Sequence, residues 1–271
     1  MVKQFLDKTD FEQNSDGYYD YSQNQLMHQD YAAYTANDYA VWKILYNRQI
    51  SNLPQKATQA YMDGIEMVEF KADKIPNFEE INHLLQPITG WKIRVVPGLI
   101  PNKTFFELMR DKNFCATTWL RHIDQLDYLE EPDMFHDVFG HVPLLTNHNL
   151  CDFLVQLSTI ALKYIDNEEV IEAVARLYWY TIEFGLIQEE AGLRIYGAGI
   201  LSSSGETDYA LLSPEPRRVP YDVEKIIQTP YIKDRFQDIY FVIPSFEALF
   251  LSINEVADCI ERIANKQMFI Q

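Results

Sequence analysis

Cysteine is scarce in this chain, long apolar runs are missing, and basic residues are outnumbered. Each shortage narrows what the protein can be. The three cysteines, Cys115, Cys151 and Cys259, are scattered, odd in number and form no Cys-x-x-Cys pair. They argue against a disulfide-built scaffold and read as buried thiols in a reducing, cytoplasmic setting. No uninterrupted run of about 18 apolar residues occurs, so no membrane-spanning helix is expected. The opening residues, Met1 to Asp10, lack the apolar core of a secretory leader. Only 23 Lys and Arg stand against 40 Asp and Glu, a formal charge of −17. Such a field repels polyanions, which disfavours nucleic acid and anionic membranes as partners.

What is present suffices for a large core: 271 residues, 47% of them hydrophobic and 14% aromatic. The pattern predicts one catalytic domain over 30–271, mainly α with a few short β-strands, behind an extended lead-in over 1–29. Thr35 with Asp38 and Asn77 with Glu80 read as helix-capping pairs. A helix is expected from near Pro54 through Val68, and Pro87 is expected to end the one begun at Asn77. Residues 91–96 alternate as a short strand before Pro97-Gly98, and 114–120 and 241–243 are further strand candidates. Helices are predicted over 150–164 and 168–187, a glycine- and serine-rich loop over 196–206, and a last helix capped by Ser245.

The segment from Glu131 to Pro143 carries two histidines, His136 and His141, in apolar surroundings. Pro132 suits a first helical turn, Asp133 and Asp137 fall in the polar half, and Gly140 is a natural stop. Five residues along an ordinary helix differ by about 140° in direction, poor for one metal. A turn at Gly140 could swing His141 back beside His136. Further on, Glu183 is a lone acid among Tyr178, Trp179, Ile182 and Phe184, costly there unless paired or metal-bound. Two imidazoles and a carboxylate form the ligand set of a non-haem ferrous centre with open positions. At this level other readings stand. Each histidine could be a satisfied core residue, and Glu183 could pair with Arg121 or Arg194. Zinc hydrolysis is a competitor, although the spacing is not His-Glu-x-x-His. His28, His83, His122 and His148 read as ordinary surface or core residues.

Three runs then resemble one family in the right order: Phe135 to Leu145, Tyr178 to Leu186 and Tyr196 to Ser203. Over roughly 30–250 the chain is similar to the pterin-dependent aromatic amino acid hydroxylases, and its compact length is similar to that of the bacterial phenylalanine 4-hydroxylases. The resemblance implies Fe(II) and a tetrahydropterin cosubstrate, with dioxygen and L-phenylalanine converted to tyrosine. It implies His136, His141 and Glu183 as iron ligands and Arg121 as the grip on the substrate carboxylate, whose structural rival is a salt bridge to Glu131 or Asp133. Ser202 would lie near that carboxylate, and Trp179 and Pro132 would line the aromatic pocket. Phe105 would stack on the pterin, with Phe106 one register away, and Asp137 would reach the pterin through water. Leu129 departs from the threonine of animal members. A monomer is expected, because the sequence has no regulatory segment or heptad tail of the animal kind. Tryptophan hydroxylation is the alternative within the family.

Overall fold

The computed structural model describes residues 28–127, 129 and 131–268. The expected lead-in lies outside the described residues except at its end. There the Gln29 carboxamide donates to the Pro76 carbonyl (2.9 Å) and accepts from the Phe78 N–H (2.9 Å). Helices dominate, with two small sheets, and no helix among the described residues is long and apolar enough to cross a membrane.

Helix α1 (Ala36–Asn52) opens with the capping box expected of Thr35 and Asp38. α2 (Gln59–Met67) starts later than the Pro54 pattern suggests, because 54–57 are drawn into turns and Ala57 bridges Ile195. In α3 (Phe78–Thr89) the Asn77 side chain accepts from Glu79 and Glu80, as read. Pro87 does not end this helix. It continues to Thr89, whose hydroxyl donates to the Leu145 carbonyl (2.7 Å), so a tertiary anchor outweighs the lost backbone bond. Strand β1 (Lys92–Val95), helix α4 (Asn102–Arg110) and strand β2 (Asn113–Ala116) follow, with β1 and β2 parallel. The second strand therefore stops four residues short of the expected Leu120, and α4 was not foreseen.

α5 (His148–Lys163) and α6 (Glu168–Tyr178) supply the largest apolar faces. The helix expected over 168–187 is shorter: after Tyr178 the chain widens into a π-turn over Trp179–Glu183, and Leu186 already begins a strand. β3 (Leu186–Glu189) and β4 (Gly192–Ile195) form an antiparallel hairpin. The expected loop over 196–206 contains a short helix, α7 (Ala198–Leu201), and the start of α8 (Ser204–Leu212). The Ser203 side chain caps α8 at Glu206, a Ser-x-x-Glu signal that the sequence did carry. β5 (Arg217–Pro220), α9 (Val223–Gln228) and β6 (Ile239–Ile243) complete a sheet of order β4-β3-β6-β5. The last helix is two: α10 (Phe246–Leu251), capped by Ser245, and α11 (Ile253–Met268). At the break the Ser252 hydroxyl donates to the Leu249 carbonyl (2.7 Å), offering the backbone a partner outside the ladder.

In the glycine-rich stretch the backbone comes close to a neighbouring segment at Gly197. A Cβ there would lie 2.4 Å from the Glu183 carbonyl oxygen and 2.5 Å from the Gly185 nitrogen. Both contacts are backbone, so relief requires main-chain movement beside Glu183. Gly197→Ala should cost about 1–3 kcal/mol by overpacking, read as a lowered denaturant midpoint at unchanged m-value; an unchanged midpoint would count against a packing role for Gly197.

Candidate metal centre and adjoining cavity

The site is built on two π-turns. The first runs Phe135–His141 and is buried throughout. Because π-type bonding closes i to i+5, residues five apart stack above one another. This corrects the expectation that Gly140 stops the helix: the chain runs straight through it, and the wider turn itself places His136 and His141 on one face. Gly140 serves packing instead, since a Cβ there would lie 2.9 Å from the Ala198 carbonyl. The opposite face carries Phe135 and Phe139, stacked at 4.7 Å and 11°. Trp42 meets both edge-on, and the Tyr61 hydroxyl donates to the Phe139 carbonyl (2.6 Å). Pro132 lies outside the helix, and Asp133 and Asp137 are buried, against the expected polar half.

The second π-turn presents Glu183, fully buried, with the Phe184 N–H donating to the Trp179 carbonyl (2.9 Å). Its carboxylate oxygens lie 3.3 Å from His141 Nε2 and 3.6 Å from His136 Nε2, and the two imidazole nitrogens are 3.2 Å apart. One ligand atom from each residue falls within 4.8 Å of the others, as a shared ion requires. Among the described residues neither Glu183 oxygen has a hydrogen-bond donor, and neither arginine suggested by sequence reaches it. Burial, then the neighbouring His141, hold His136 well below its ordinary pKa, so that ring is neutral. Its Nδ1 is 2.9 Å from the Ser202 hydroxyl, which itself donates to the Ala198 carbonyl (2.8 Å). Ser202 therefore accepts Nδ1–H, which leaves the Nε2 lone pair facing Glu183 and His141. A buried acid without donors beside two imidazole nitrogens fits a cation.

Around this cluster, Arg121 and Asp133 form a buried bidentate pair, with Nε and Nη2 each 2.9 Å from the carboxylate oxygens. Of the two suggested structural partners for Arg121, Asp133 is the one used. Asp133 also accepts from the Arg121 and His136 backbone N–H groups, tying the guanidinium to the π-turn. Asp137 accepts from the N–H and hydroxyl of Thr117 (2.8 and 2.9 Å), yet burial still raises its carboxyl to about 7. Phe105, on α4, is buried edge-on to Phe106 and Tyr178. The remaining histidines, His28, His83, His122 and His148, are all exposed.

A cavity of about 420 Å³ opens beside His136, within the usual range for small-molecule sites. Arg121, Pro132, Trp179 and Ser202 all line it, as does Leu129, while Phe105 does not. Sequence reading missed Phe184, Phe236 and Glu206 on its wall. Phe184 stood inside a motif already singled out; Glu206 was legible only as the partner of the Ser203 cap. Glu206 is buried, which raises its carboxyl to about 7, while the Tyr240 hydroxyl donates to it (2.7 Å).

Two imidazoles and a carboxylate, one of the imidazoles lining a cavity with aromatic side chains on its wall, define the two-histidine, one-carboxylate class of site. A family model described as biopterin-dependent aromatic amino acid hydroxylase matches residues 9–267. The phenylalanine-4-hydroxylase of Chromobacterium violaceum is 50% identical over 217 residues, covering 80% of this chain and 73% of that protein. A crystal structure of that organism's phenylalanine hydroxylase with bound iron(III) and 7,8-dihydrobiopterin matches with a TM-score of 0.82 at 47% identity, over 86% of this chain and 84% of the other. One with iron and phenylalanine bound matches with a TM-score of 0.81 at 43% identity, over 87% of each. The chain belongs to the biopterin-dependent aromatic amino acid hydroxylases.

Two measurements follow from this geometry. Cobalt(II) titration of metal-free protein should show tight binding lost in Glu183→Ala and weakened about 10–100-fold in Ser202→Ala, which frees the His136 ring; unchanged affinity in Glu183→Ala would remove it from the ligand set. The second concerns Glu206, whose carboxyl rises from 4.5 unfolded to about 7 folded. Its contribution to stability is complete below the unfolded value and is lost as pH rises through about 7. Urea midpoints of metal-free protein should therefore fall across that window, and Glu206→Gln should flatten the slope.

Proposed function

We propose that this chain is a phenylalanine 4-monooxygenase, converting L-phenylalanine to L-tyrosine with dioxygen and a tetrahydropterin at a non-haem ferrous site. The observation that carries the reading is the donor-free Glu183 carboxylate, 3.3 and 3.6 Å from two imidazole nitrogens beside a cavity lined by Arg121 and Trp179. His136, His141 and Glu183 would hold iron, which with the reduced pterin supplies the activation of dioxygen needed to hydroxylate an aromatic ring.

The side chains divide the remaining work. Asp133 fixes the Arg121 guanidinium through Nε and Nη2, while Nη1 has a 3.3 Å bond to the Leu126 carbonyl. A substrate carboxylate could therefore be met by a pre-oriented cation, at little cost in side-chain entropy. Trp179 and Phe184, with ring centres 4.5 Å apart and planes tilted by 36°, give the substrate ring an aromatic wall, with Pro132 and Leu129 also lining the cavity. Ser202 keeps His136 in one tautomer. The aromatic part of the lining, Trp179, Phe184 and Phe236, limits water near the reacting ring. On the other side, Phe105 touches Tyr178, whose phenol is held far above its ordinary pKa by burial and then by the Glu183 charge. In this reading the pterin would stack on Phe105, with Asp137 held ready by Thr117.

The surrounding setting we propose is a cytoplasmic monomer; the three cysteines are buried and free, as a reducing compartment allows. Tryptophan as substrate differs by one ring, a pocket-shape question worth about 1–3 kcal/mol. A zinc hydrolase would share the ligands but consume no oxygen.

The test is anaerobic loading of metal-free protein with ferrous iron, followed by oxygen, tetrahydropterin and phenylalanine or tryptophan, with products separated by chromatography. Tyrosine that appears only with iron and pterin, and not with zinc, is the expected result. Hydroxytryptophan as the main product would move the substrate assignment. Absence of pterin oxidation with iron bound would overturn the reaction class.

A further inference from the structure

From Trp179 on the cavity wall a chain of hydrogen bonds runs through Gln237 to Glu206, an acid that also lines the cavity and that the reaction above does not use. Trp179 Nε1 can only donate, and it gives its proton to Gln237 Oε1 at 3.0 Å. The other end of that carboxamide donates to the Ile232 carbonyl (2.7 Å), and the Ile232 N–H reaches back to Gln237 Oε1 (3.4 Å). The amide therefore has one orientation that satisfies all three partners. Gln237 is itself held from behind: its backbone N–H donates to Glu206 Oε1 (3.3 Å), which also accepts from the Tyr240 hydroxyl (2.7 Å). Glu206 is in the first turn of α8, where a negative charge is favoured, and its N–H is capped by Ser203 (3.3 Å).

Glu206 and Gln237 are buried, at 6% and 1% exposure, so water does not stand in for a lost partner at low cost. The indole they hold is the middle ring of a stack: Phe184 lies 4.5 Å away at 36° and Tyr231 5.0 Å away at 30°. Trp179 and Phe184 line the cavity, and Trp179 also opens the π-turn that carries Glu183. The plane of one indole thus sets both the wall of the cavity and the start of the turn that aims a carboxylate.

We propose that Glu206 is a positioning residue for the aromatic wall of the substrate cavity, acting through Gln237 on the indole of Trp179. The role rests on the aromatic amino acid reading above. It also makes a statement about Trp179 that can be read without turnover. A buried acid at this place is otherwise unexplained: a leucine would fill the volume, but it would leave the Tyr240 hydroxyl and Gln237 N–H without an acceptor.

The test uses Glu206→Ala, Glu206→Gln and Tyr240→Phe in the full chain. The indole N–H resonance of Trp179 is assigned by its disappearance in Trp179→Phe. In Glu206→Ala its exchange with solvent should quicken by about tenfold, and KM for phenylalanine should rise about fivefold, the size of one lost buried hydrogen bond. Over the same comparison kcat and the pterin KM should stay within about twofold. Glu206→Gln keeps an acceptor oxygen and should restore both readouts; Tyr240→Phe, which removes one of the two donors, should fall between. A Trp179 resonance and a phenylalanine KM that match the wild type in folded Glu206→Ala would overturn the proposal. So would a fall in melting temperature with neither readout moved. Should Glu206→Ala fail to fold, the Tyr240→Phe result decides alone, an unmoved resonance counting against the proposal. If the wild-type protein turns over no phenylalanine, the reaction assignment fails on that arm, and the indole exchange still decides the role of Glu206.

Discussion

Glu183 places a carboxylate where no donor among the described residues satisfies it, and the folded state is arranged to make that tolerable. Taking such a charge out of water costs about several kcal/mol even after relaxation. A cation held between the carboxylate and the two imidazole nitrogens facing it would recover this. The surroundings that keep water out also keep His136 neutral and donor-free on its Nε2 side. The aromatic packing of Trp42, Phe135 and Phe139 behind the first π-turn, and of Phe184 and Tyr231 around Trp179 in the second, holds the three ligands at that separation. The apolar mass of the domain is what makes a polar triad at its centre both costly and rigid.

The substrate side extends the same economy of motion. Asp133 binds the Arg121 fork and, through its other contact, the backbone of His136, so the guanidinium proposed for the substrate carboxylate and the imidazole proposed for the metal share one support. Ser202 joins the glycine-rich turn to the same histidine. Displacing any of these would alter the distance between the cavity and the metal centre, which gives a physical reason for a site assembled from segments so far apart in the chain.

Much of this was legible in the residues. The capping pairs at Thr35 and Asn77 and the strand at 92–95 follow from short-range chemistry, and the structure has them where the pattern put them. The triad residues were visible as isolated polar groups in apolar runs. Other features depended on distant partners. Pro87 was read as a stop because its neighbours in sequence say so, whereas Thr89 is held by Leu145. The helix expected through residue 187 ends early because Leu186 and Ile187 find Val242 and Ile243 in a parallel ladder, a partnership no local window contains. The burial of Asp133 and Asp137 is another case, since their partners Arg121 and Thr117 lie on the preceding segment.

By itself the sequence determined the chemistry available: which residues could ligate, which could stack, and that one mainly helical domain could bury them. It did not determine how two histidines five apart come to face one ion. An ordinary helix would have separated them, and a stop at Gly140 was one way out. The tertiary structure decided on a π-turn instead, because Trp42 and Tyr61 pack against and bond to its back face while Ala198 presses on Gly140 from the other side. A wider turn is unfavourable in isolation and forms where surrounding contacts compensate it. Those contacts come from helices far away in the chain, and so only the folded molecule could specify them.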